Sequence, residues 1–482
     1  YMTPMQPRIA NGIADIQAGL PTNTALSFDE AGKMHLSSLE SSVTPQARAF
    51  RRYWYQWLPQ VQLTDLLLEV DAWTGFLDRL IHHTSHRAAT GDAKLALVTA
   101  ILALGTNLGI EKMAQASTFS EHQLEGAVDG RIREETLLSA QGMLDNFMLR
   151  LPIASLWGDG TWSSSDGIRF LVEGKKPHSD YNARYFGTRR GVTLITHLAD
   201  IGVPIGHQAV ISTNDREALY IIDALCHHDT DLHLDTHTTD TGGSTYHVFA
   251  LCAFLGFRFV PHLRSLVEQH LFSVYPMTVD APFADLFKGP IDIALLERNW
   301  VDMQRLAASI RHGVVPASLI MRKLRSYSRQ NELSKALNEM GKLERTAFIL
   351  EYLRDEALRR RVRIALNRGE SLHSLARALF FGQLGQFHDR LLENQMHGAS
   401  CLMLLIAAIS VWNAVYLQKA LEAMQAAGVP IDEEHLRHTF PLGWNHINFF
   451  GKYAFDRDLA STYSLQTLRS LRPRPSTDPL AA

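Results

Sequence analysis

The chain has 482 residues, a hydrophobic fraction of 46% and a formal net charge of −3. This length and composition allow two or more domains with sizeable buried cores. The near-neutral charge argues against a strongly basic nucleic-acid-binding protein, although a local basic surface would not show in the total. Three cysteines without metal-ligand spacing or a disulfide framework indicate a reducing compartment. Because the first residue is Tyr1 rather than Met, we expect the chain to be part of a longer polypeptide.

Residues 1–150 are predicted to form a mainly helical region that includes a possible DNA-contacting surface. Residues 1 to about 40 are polar and irregular in pattern. Thr44 and Pro45 suit the N-cap and the first turn of a helix that continues to Pro59. That helix interleaves arginines with aromatic residues. The pattern fits either stacking along a nucleic acid strand or an amphipathic helix with a solvated arginine face.

Residues 151–264 change to a pattern of short strands and helices. Four segments read as strands, one more strand is predicted to end at Asp240, and two segments read as helices. In chain order the bounds are strands 167–173, 191–198 and 205–213, helix 215–227, the strand ending at Asp240, helix 244–255 and strand 258–263. The order β-β-β-α-β-α-β predicts an α/β core of the RNase H-like type, with three antiparallel strands followed by helix-linked parallel ones.

The second half of the chain is predicted to be helical. Residues 265–364 read as a large helical insertion, and residues 365–395 as the core helix that bears Glu370. Glu370 is expected to open that helix, where the helix dipole favours a carboxylate. Residues 396–482 read as a C-terminal helical region that ends in a disordered tail from residue 472.

One segment, residues 399–417, is uncharged and long enough to span a bilayer. It contains the polar residues Ser410 and Asn413, has a clear helical period and lies between charged helices. A buried helix of a soluble protein is therefore predicted, and no membrane partner.

Three acids stand in settings that suit metal-dependent phosphoryl transfer. Asp166 lies in SSSDG, Asp240 in TDTGGST after a predicted strand, and Glu370 in NRGE. Hard divalent cations take oxygen ligands, and Mg²⁺ is usually held by a few carboxylates. Two such ions can clamp the attacking and leaving oxygens of a phosphodiester.

Each acid has an alternative. Asp240 fits a plain helix cap, and Asp159 competes with Asp166 for the first position. Glu370 fits an ordinary first-turn glutamate, and Glu344 is its rival as the third acid.

Six separated segments carry a resemblance to a known family. They are 66–76 (LLLEVDAWTGF), 159–167 (DGTWSSSDG), 182–185 (NARY), 239–257 (TDTGGSTYHVFALCAFLGF), 366–382 (LNRGESLHSLARALFFG) and 441–451 (PLGWNHINFFG). In content and order these blocks resemble the C-terminal, catalytic region of the Tn3-family transposases, which are DDE recombinases. Trp162, where the family usually has a small residue, is a departure that leaves the acids in place.

The resemblance implies an RNase H-like catalytic core with a large helical insertion, embedded in mainly helical flanking domains. It implies Asp166, Asp240 and Glu370 as catalytic and metal-binding residues, with Mg²⁺ as cofactor and Mn²⁺ as a substitute. The implied reaction cuts phosphodiesters at transposon ends and joins the 3′-OH ends to target DNA. The resemblance also implies a homodimer, which pairs the two transposon ends. It implies a cytoplasmic location, with association to the nucleoid when the protein is bound to DNA. The rivals are a nuclease that only hydrolyses DNA and an inactive relative that only binds DNA or assembles.

Basic residues near the predicted site are candidates for positioning DNA phosphates. They are Lys175, Lys176, Arg184, Arg189, Arg190, Arg264, Arg377 and His247. Arg184 lies in the family-like NARY block and His247 in the block of Asp240. For each of them a solvated surface position is the alternative.

Overall fold

Helices surround a curled, seven-stranded sheet in this computed structural model. The structure describes residues 2–20, 23–30, 33–37, 39, 43–176, 178–206, 208–265, 269–279, 283–326, 331–389, 391–455 and 462–473. The predicted disordered tail falls largely on residues 474–482, outside the described residues.

The helices and strands of the described residues are numbered in chain order. The helices are α1 (Met2–Gly19), α2 (Pro45–Gln56), α3 (Leu63–Thr74), α4 (Asp92–Gly105), α5 (Ile110–Ala116), α6 (Glu121–Arg131), α7 (Glu134–Arg150), α8 (Ala183–Phe186), α9 (Ile221–Cys226), α10 (Tyr246–Leu255), α11 (Ile293–Arg311), α12 (Ala317–Ser326), α13 (Glu332–Arg354), α14 (Glu356–Leu379), α15 (Leu392–Ala426) and α16 (Glu433–Arg437). The strands are β1 (Leu26–Phe28), β2 (Met34–Leu36), β3 (Val61–Gln62), β4 (Trp162–Val172), β5 (Asp180–Tyr181), β6 (Arg190–Ala199), β7 (Ala209–Ser212), β8 (Thr236–Thr239), β9 (Arg258–Phe259), β10 (Leu271–Ser273), β11 (Phe287–Pro290), β12 (Gln386–Phe387) and β13 (Ile447–Asn448).

The chain begins with a helix, so the expectation of an irregular N-terminal segment is wrong. Ile9, Ile13 and Ile16 of α1 are buried and recur at helical spacing. They form one apolar stripe, and α1 packs along α13. The prolines and glycines of this segment obscure the stripe in the sequence, but burial against α13 stabilises the helix nonetheless.

The long apolar helix α15 runs through the protein interior. It is the one helix of the described residues that is long and apolar enough to cross a membrane, and 94% of its apolar window is buried inside the protein. Helices α3, α4 and α7 pack around it. Gly105 allows the close approach of α4, because a Cβ there would lie 3.0 Å from the Cys401 backbone.

The large sheet carries its strands in the order β7-β6-β4-β8-β9. β4 pairs antiparallel with β6, and β6 pairs antiparallel with β7. On the other side, β4 pairs parallel with β8, and β8 pairs parallel with β9. β5 extends the outer edge of β6, and β12 pairs with the far end of β4. The predicted succession of antiparallel and then parallel strands is present, in a mixed α/β protein that is largely helical.

β4 begins earlier than the sequence predicts. The strand was expected from residue 167, after a loop rich in Gly and Ser, but it starts at Trp162. Ser163 and Ser165 explain the difference, because both hydroxyls hydrogen-bond the buried ring of His237 on β8. Tertiary contacts therefore hold a sequence of low strand propensity in extended form.

Glu370 lies inside a helix, so the expectation that it opens one is wrong. α14 begins at Glu356, where the Asp355 side chain accepts a hydrogen bond from Leu358 N at 2.9 Å. A helix-dipole argument for Glu370 therefore fails, since the effect is confined to the first turn. α14 also crosses the predicted boundary at residue 364, and the division into domains stays a prediction.

Candidate active site

Neighbouring parallel strands bring Asp166 and Asp240 side by side. Ser165 of β4 is the register partner of Thr239, the last residue of β8, and each acid is the next residue in the chain. Neighbouring strands lie about 4.8 Å apart, so the two residues face each other across one strand spacing. The charge of Asp240 acts on Asp166 and helps to raise its pKa.

Both aspartates are oriented by backbone N–H groups that follow them in the chain. Asp166 Oδ1 accepts from Gly167 N at 2.8 Å, and Asp240 Oδ1 accepts from Gly242 N at 2.8 Å and Gly243 N at 3.1 Å. The capping alternative for Asp240 is therefore realised, although it caps a single 3₁₀ turn and uses Oδ1 alone.

Helix α14 packs across β4 and places Glu370 beside Asp166. Ser164 Oγ lies 3.5 Å from Ala365 O, and the rings of Phe170 and Phe380 pack with centroids 4.7 Å apart. One potential ligand atom each from Asp166, Glu370 and His373 lie within 4.8 Å of one another, the one such group of three in the described part of the chain. The sequence analysis missed His373.

The hydrogen bonds of His373 fix which ring nitrogen faces the acids. Thr196 donates its only hydroxyl proton to Asp166 O at 3.1 Å, so its oxygen accepts from His373 Nε2 at 3.2 Å. Nδ1 then keeps its lone pair and lies 3.8 Å from Asp166 Oδ2 and 3.9 Å from Glu370 Oε2. Three acceptors therefore converge without a proton between them, and this donor set fits a divalent cation.

Burial and crowding disfavour the charged forms of this cluster. Burial is the main cause that raises the pKa of Asp166 to about 6, with the charges of Asp240 and Glu370 acting in the same direction and the Gly167 N–H against it. Burial also lowers the pKa of His373 to about 3, so the imidazole is neutral at neutral pH. Crowded carboxylates of this kind need a cation to remain ionised together.

A fourth acid, Glu217, stands beside the cluster and was also missed. It pairs with Arg169 at 3.0 Å, and burial followed by the charge of Asp166 raises its pKa to about 7. A Cβ at Gly167 would overlap the Glu217 carboxylate, so the glycine after Asp166 makes room for this acid. Arg169 in turn lies over the Tyr185 ring at 4.0 Å.

The two rival acids lie elsewhere. Asp159 accepts a hydrogen bond from Thr161 Oγ1 at 2.6 Å in the turn before β4, and it is not part of the cation-binding group. Glu344 lies on α13 beside a different cavity, where burial raises its pKa to about 7.

Five of the predicted DNA-contacting residues lie between the end of β4 and the first residue of β6. They are Lys175, Lys176, Arg184, Arg189 and Arg190. Arg184 is exposed, and its guanidinium carbon lies 5.3 Å from the centroid of the Tyr185 ring. Arg169 contacts the same ring. The Arg190 side chain is half-buried and makes a hydrogen bond within the protein, from Nη1 to Ser179 O at 2.8 Å.

The remaining three candidates differ in their surroundings. Arg377 is exposed on α14 about two turns beyond Glu370. Arg264 is exposed and borders a cavity beside α14. The His247 ring lies 3.1 Å from Ser334 Oγ of α13, which favours a packing role.

Most aromatic residues of α2 are buried, and the half-buried Tyr55 donates its hydroxyl to Phe440 O at 2.7 Å. Tyr53 and Trp54 are buried, and Trp54 Nε1 donates to Leu417 O at 3.0 Å. Arg51 and Arg52 are exposed, so α2 is the amphipathic helix with a solvated arginine face. The nucleic-acid-stacking alternative for this helix is wrong.

The sheet and the acidic cluster define the class of the chain, a mixed α/β protein with a candidate site for divalent cations. Residues 65–453 match the Tn3 transposase DDE domain. The chain belongs to this family, which confirms the resemblance, and a DDE domain implies a divalent metal.

Curated relatives agree with this assignment. The chain is 40% identical over 444 residues to the transposase for transposon Tn1546 of Enterococcus faecium, covering 92% of this chain and 44% of the relative. It is 41% identical over 423 residues to the transposase for transposon Tn501 of Pseudomonas aeruginosa, covering 88% and 42%. It is 34% identical over 402 residues to the transposase for transposon gamma-delta of Escherichia coli K12, covering 83% and 40%. The chain thus spans less than half the length of each of these relatives.

Proposed function

We propose that this chain is the catalytic region of a DDE transposase that cuts phosphodiesters at transposon ends and joins the 3′-OH ends to target DNA. One observation carries the proposal. In a chain that belongs to the Tn3 family, ligand atoms of Asp166 and Glu370 lie within 4.8 Å of each other, and Asp240, which follows the neighbouring strand β8, is near enough for its charge to act on Asp166.

An RNase H-like core is part of this proposal. The antiparallel strands β4, β6 and β7, followed by the parallel strands β8 and β9, support it. The helix α14 then crosses the sheet with Glu370. Asp166 lies on β4 and Glu370 on α14, so regular elements support two of the proposed acids, while Asp240 lies in the turn that directly follows β8.

Asp166, Asp240 and Glu370 would hold Mg²⁺, or Mn²⁺ in its place. When bound, such ions would supply activation of the attacking oxygen and stabilisation of the leaving oxygen. The protein itself orients the acids. Backbone N–H groups hold Oδ1 of Asp166 and of Asp240, and Thr196 turns the unprotonated nitrogen of His373 toward the site.

The partners proposed are DNA and a second copy of the protein. Transposon ends and target DNA would be the substrates, and a homodimer would pair the two ends. Lys175, Lys176, Arg184, Arg189, Arg190, Arg264, Arg377 and His247 remain proposed DNA contacts. A cytoplasmic location, with the nucleoid when DNA is bound, belongs to the same proposal.

Substitution of each acid tests the site. Asp166→Asn, Asp240→Asn and Glu370→Gln should each reduce Mn²⁺-dependent cleavage of labelled duplex DNA to background, because each removes a negative ligand. Asp159→Asn and Glu344→Gln are the matched controls and should leave cleavage unchanged. Loss of cleavage in a control with retention in Asp166→Asn or Glu370→Gln would contradict the assignment.

Strand joining separates the transposase from its rivals. The wild-type chain should join labelled 3′-OH ends to a plasmid, whereas a nuclease would only cut. An inactive relative would show no difference between wild type and Asp240→Asn in either assay.

A further inference from the structure

A cavity of about 600 Å³ lies beside the candidate active site and is lined by positive side chains. It is enclosed by β2, by the segment after β9 and by α13 and α14. Arg264, Arg359 and Arg363 line it together with His262. No Asp or Glu is among its described lining residues, so the cavity, here called the arginine cavity, is suited to an anion.

Arg359 is a buried arginine of the arginine cavity with unsatisfied hydrogen-bond donors. It is only 2% exposed, and its Nε and Nη1 atoms have no hydrogen-bond partner among the described residues. The nearest acids are engaged elsewhere, since Asp355 caps α14 and Glu356 pairs with Arg360 at 2.7 Å. A buried guanidinium without a partner costs free energy, which an anionic ligand would recover.

Two further arginines, from separate segments of the chain, line the same cavity. Arg363 lies one turn beyond Arg359 on α14, is exposed, and donates from Nη1 to Leu39 O. Arg264 is exposed on the segment after β9. Guanidinium groups bind phosphate oxygens in bidentate geometry. A set of arginines therefore suits a phosphate better than lysine ammonium groups would.

The arginine cavity and the candidate active site share helix α14, since Arg359, Arg363, Leu366 and Asn367 line the cavity and Glu370 lies further along the same helix. Arg359 and Glu370 are separated by about three helical turns, so both side chains leave the same side of the helix. The separation along the axis is about 16 Å, which is roughly five base-pair steps of duplex DNA. On the other wall, His262 lies close enough to Asp240 to feel its charge.

We infer that the arginine cavity binds a backbone phosphate of the DNA strand that enters the candidate active site. This inference rests on the proposed function, because it takes DNA as the ligand. The phosphate would pair with the Arg359 guanidinium and hold the strand in register with Asp166, Asp240 and Glu370. Such contacts position DNA without reading its sequence.

Salt dependence of DNA binding tests the inference without catalysis. Binding of the chain to a short labelled duplex is measured by fluorescence anisotropy in EDTA at several salt concentrations. Arg363→Gln and Arg264→Gln should each weaken binding and reduce the salt slope by about 0.9, the value for one lost phosphate contact. Both residues are exposed, so these variants should fold, and Arg359→Gln should show the same loss if its circular dichroism matches wild type.

Arg360→Gln is the matched control. It removes the same charge from the same helix, but Arg360 pairs with Glu356 and does not line the cavity. Its affinity and salt slope should equal those of the wild type. Equal slopes for Arg363→Gln, Arg264→Gln and wild type would overturn the inference, as would a wild-type chain that does not bind the duplex.

Inorganic phosphate distinguishes a free anion from DNA. A thermal shift with phosphate that is lost in Arg363→Gln, combined with unchanged DNA binding by that variant, would assign the cavity to a free anion and overturn the DNA assignment. Because these measurements need no metal, their failure is separate from failure of the proposed function, which shows only in the cleavage of the acid variants.

Discussion

At the scale of single residues, the three candidate acids are held by different means. Asp166 and Asp240 each accept a hydrogen bond from the backbone N–H of a glycine that follows closely in the chain. The sequence around each aspartate therefore already contains the group that orients it. Glu370 is 67% exposed and depends on α14 for its place. His373 connects the helix to the sheet, since it contacts Thr196 on the sheet and faces Glu370 on its own helix.

His373→Gln tests the role of the ring nitrogen that faces the acids. Glutamine can donate its amide N–H to Thr196, but its carbonyl oxygen would replace the ring Nδ1 in a different position, so affinity for Mn²⁺ should fall by about 10–100-fold. Isothermal titration calorimetry would measure it. His388→Gln, at a surface residue paired with Glu173 at 2.7 Å, should leave the affinity unchanged. Equal affinity in His373→Gln and wild type would remove His373 from the site.

At the scale of elements, helix α7 carries a buried carboxyl group whose protonation depends on the packing around the helix. α7 buries Asp145 completely, with no cation beside its carboxylate among the described residues and only the Gln141 side chain to favour its charged form. Burial therefore raises the pKa of Asp145 well above its usual range. The folded protein holds this acid neutral at a pH at which the unfolded chain ionises it.

Asp145→Asn should stabilise the protein in a pH-dependent manner. As pH rises above about 4, the unfolded wild type loses this proton while the folded state keeps it, so wild-type stability falls. The free energy of unfolding of Asp145→Asn should exceed that of wild type by a margin that grows by up to about 1.4 kcal/mol per pH unit and then levels off above the folded pKa. Urea unfolding across that pH range measures the margin. A margin independent of pH would show that Asp145 is ionised in the fold.

At the scale of the whole molecule, a segment near the C-terminus ties two helices together. Glu69 of α3 is fully buried and accepts from Trp412 Nε1 at 3.0 Å and Tyr416 OH at 3.2 Å on α15. Arg469 pairs with Glu69 and, at 3.2 Å, with Asp65. The arginine thus closes a buried polar network across segments that are about 400 residues apart in sequence.

Arg469→Met should destabilise the protein by about 3 kcal/mol, since it leaves the Glu69 charge buried without its cation. Chemical denaturation measures the loss. Arg437→Met is the control, because Arg437 pairs with Glu433 at the surface and such pairs contribute about 1 kcal/mol or less. Similar losses in the two variants would mean that the network is not stabilised by this ion pair.

Local patterns in the sequence determined much of the fold. The strand predicted over 191–198 is found as β6, Arg190–Ala199, and the strand predicted to end at Asp240 is β8, Thr236–Thr239. Alternation of apolar residues and glycine-rich turns are local signals, so they survive without knowledge of the fold. The family blocks pointed to Asp166, Asp240 and Glu370 for the same reason, since each block is read within a few residues.

The tertiary structure alone decided what depends on contacts between distant segments. His373 meets Thr196 across 177 residues of sequence, and the cavity wall joins Arg264 to Arg363. Nothing near these residues in the sequence marks such partners, because the partners are set by how α14 packs across the sheet. The extended form of residues 163–165 follows from burial and from contacts with His237 rather than from propensity. Amino-acid sequence thus determined the types and order of elements, while packing decided which side chains share a site.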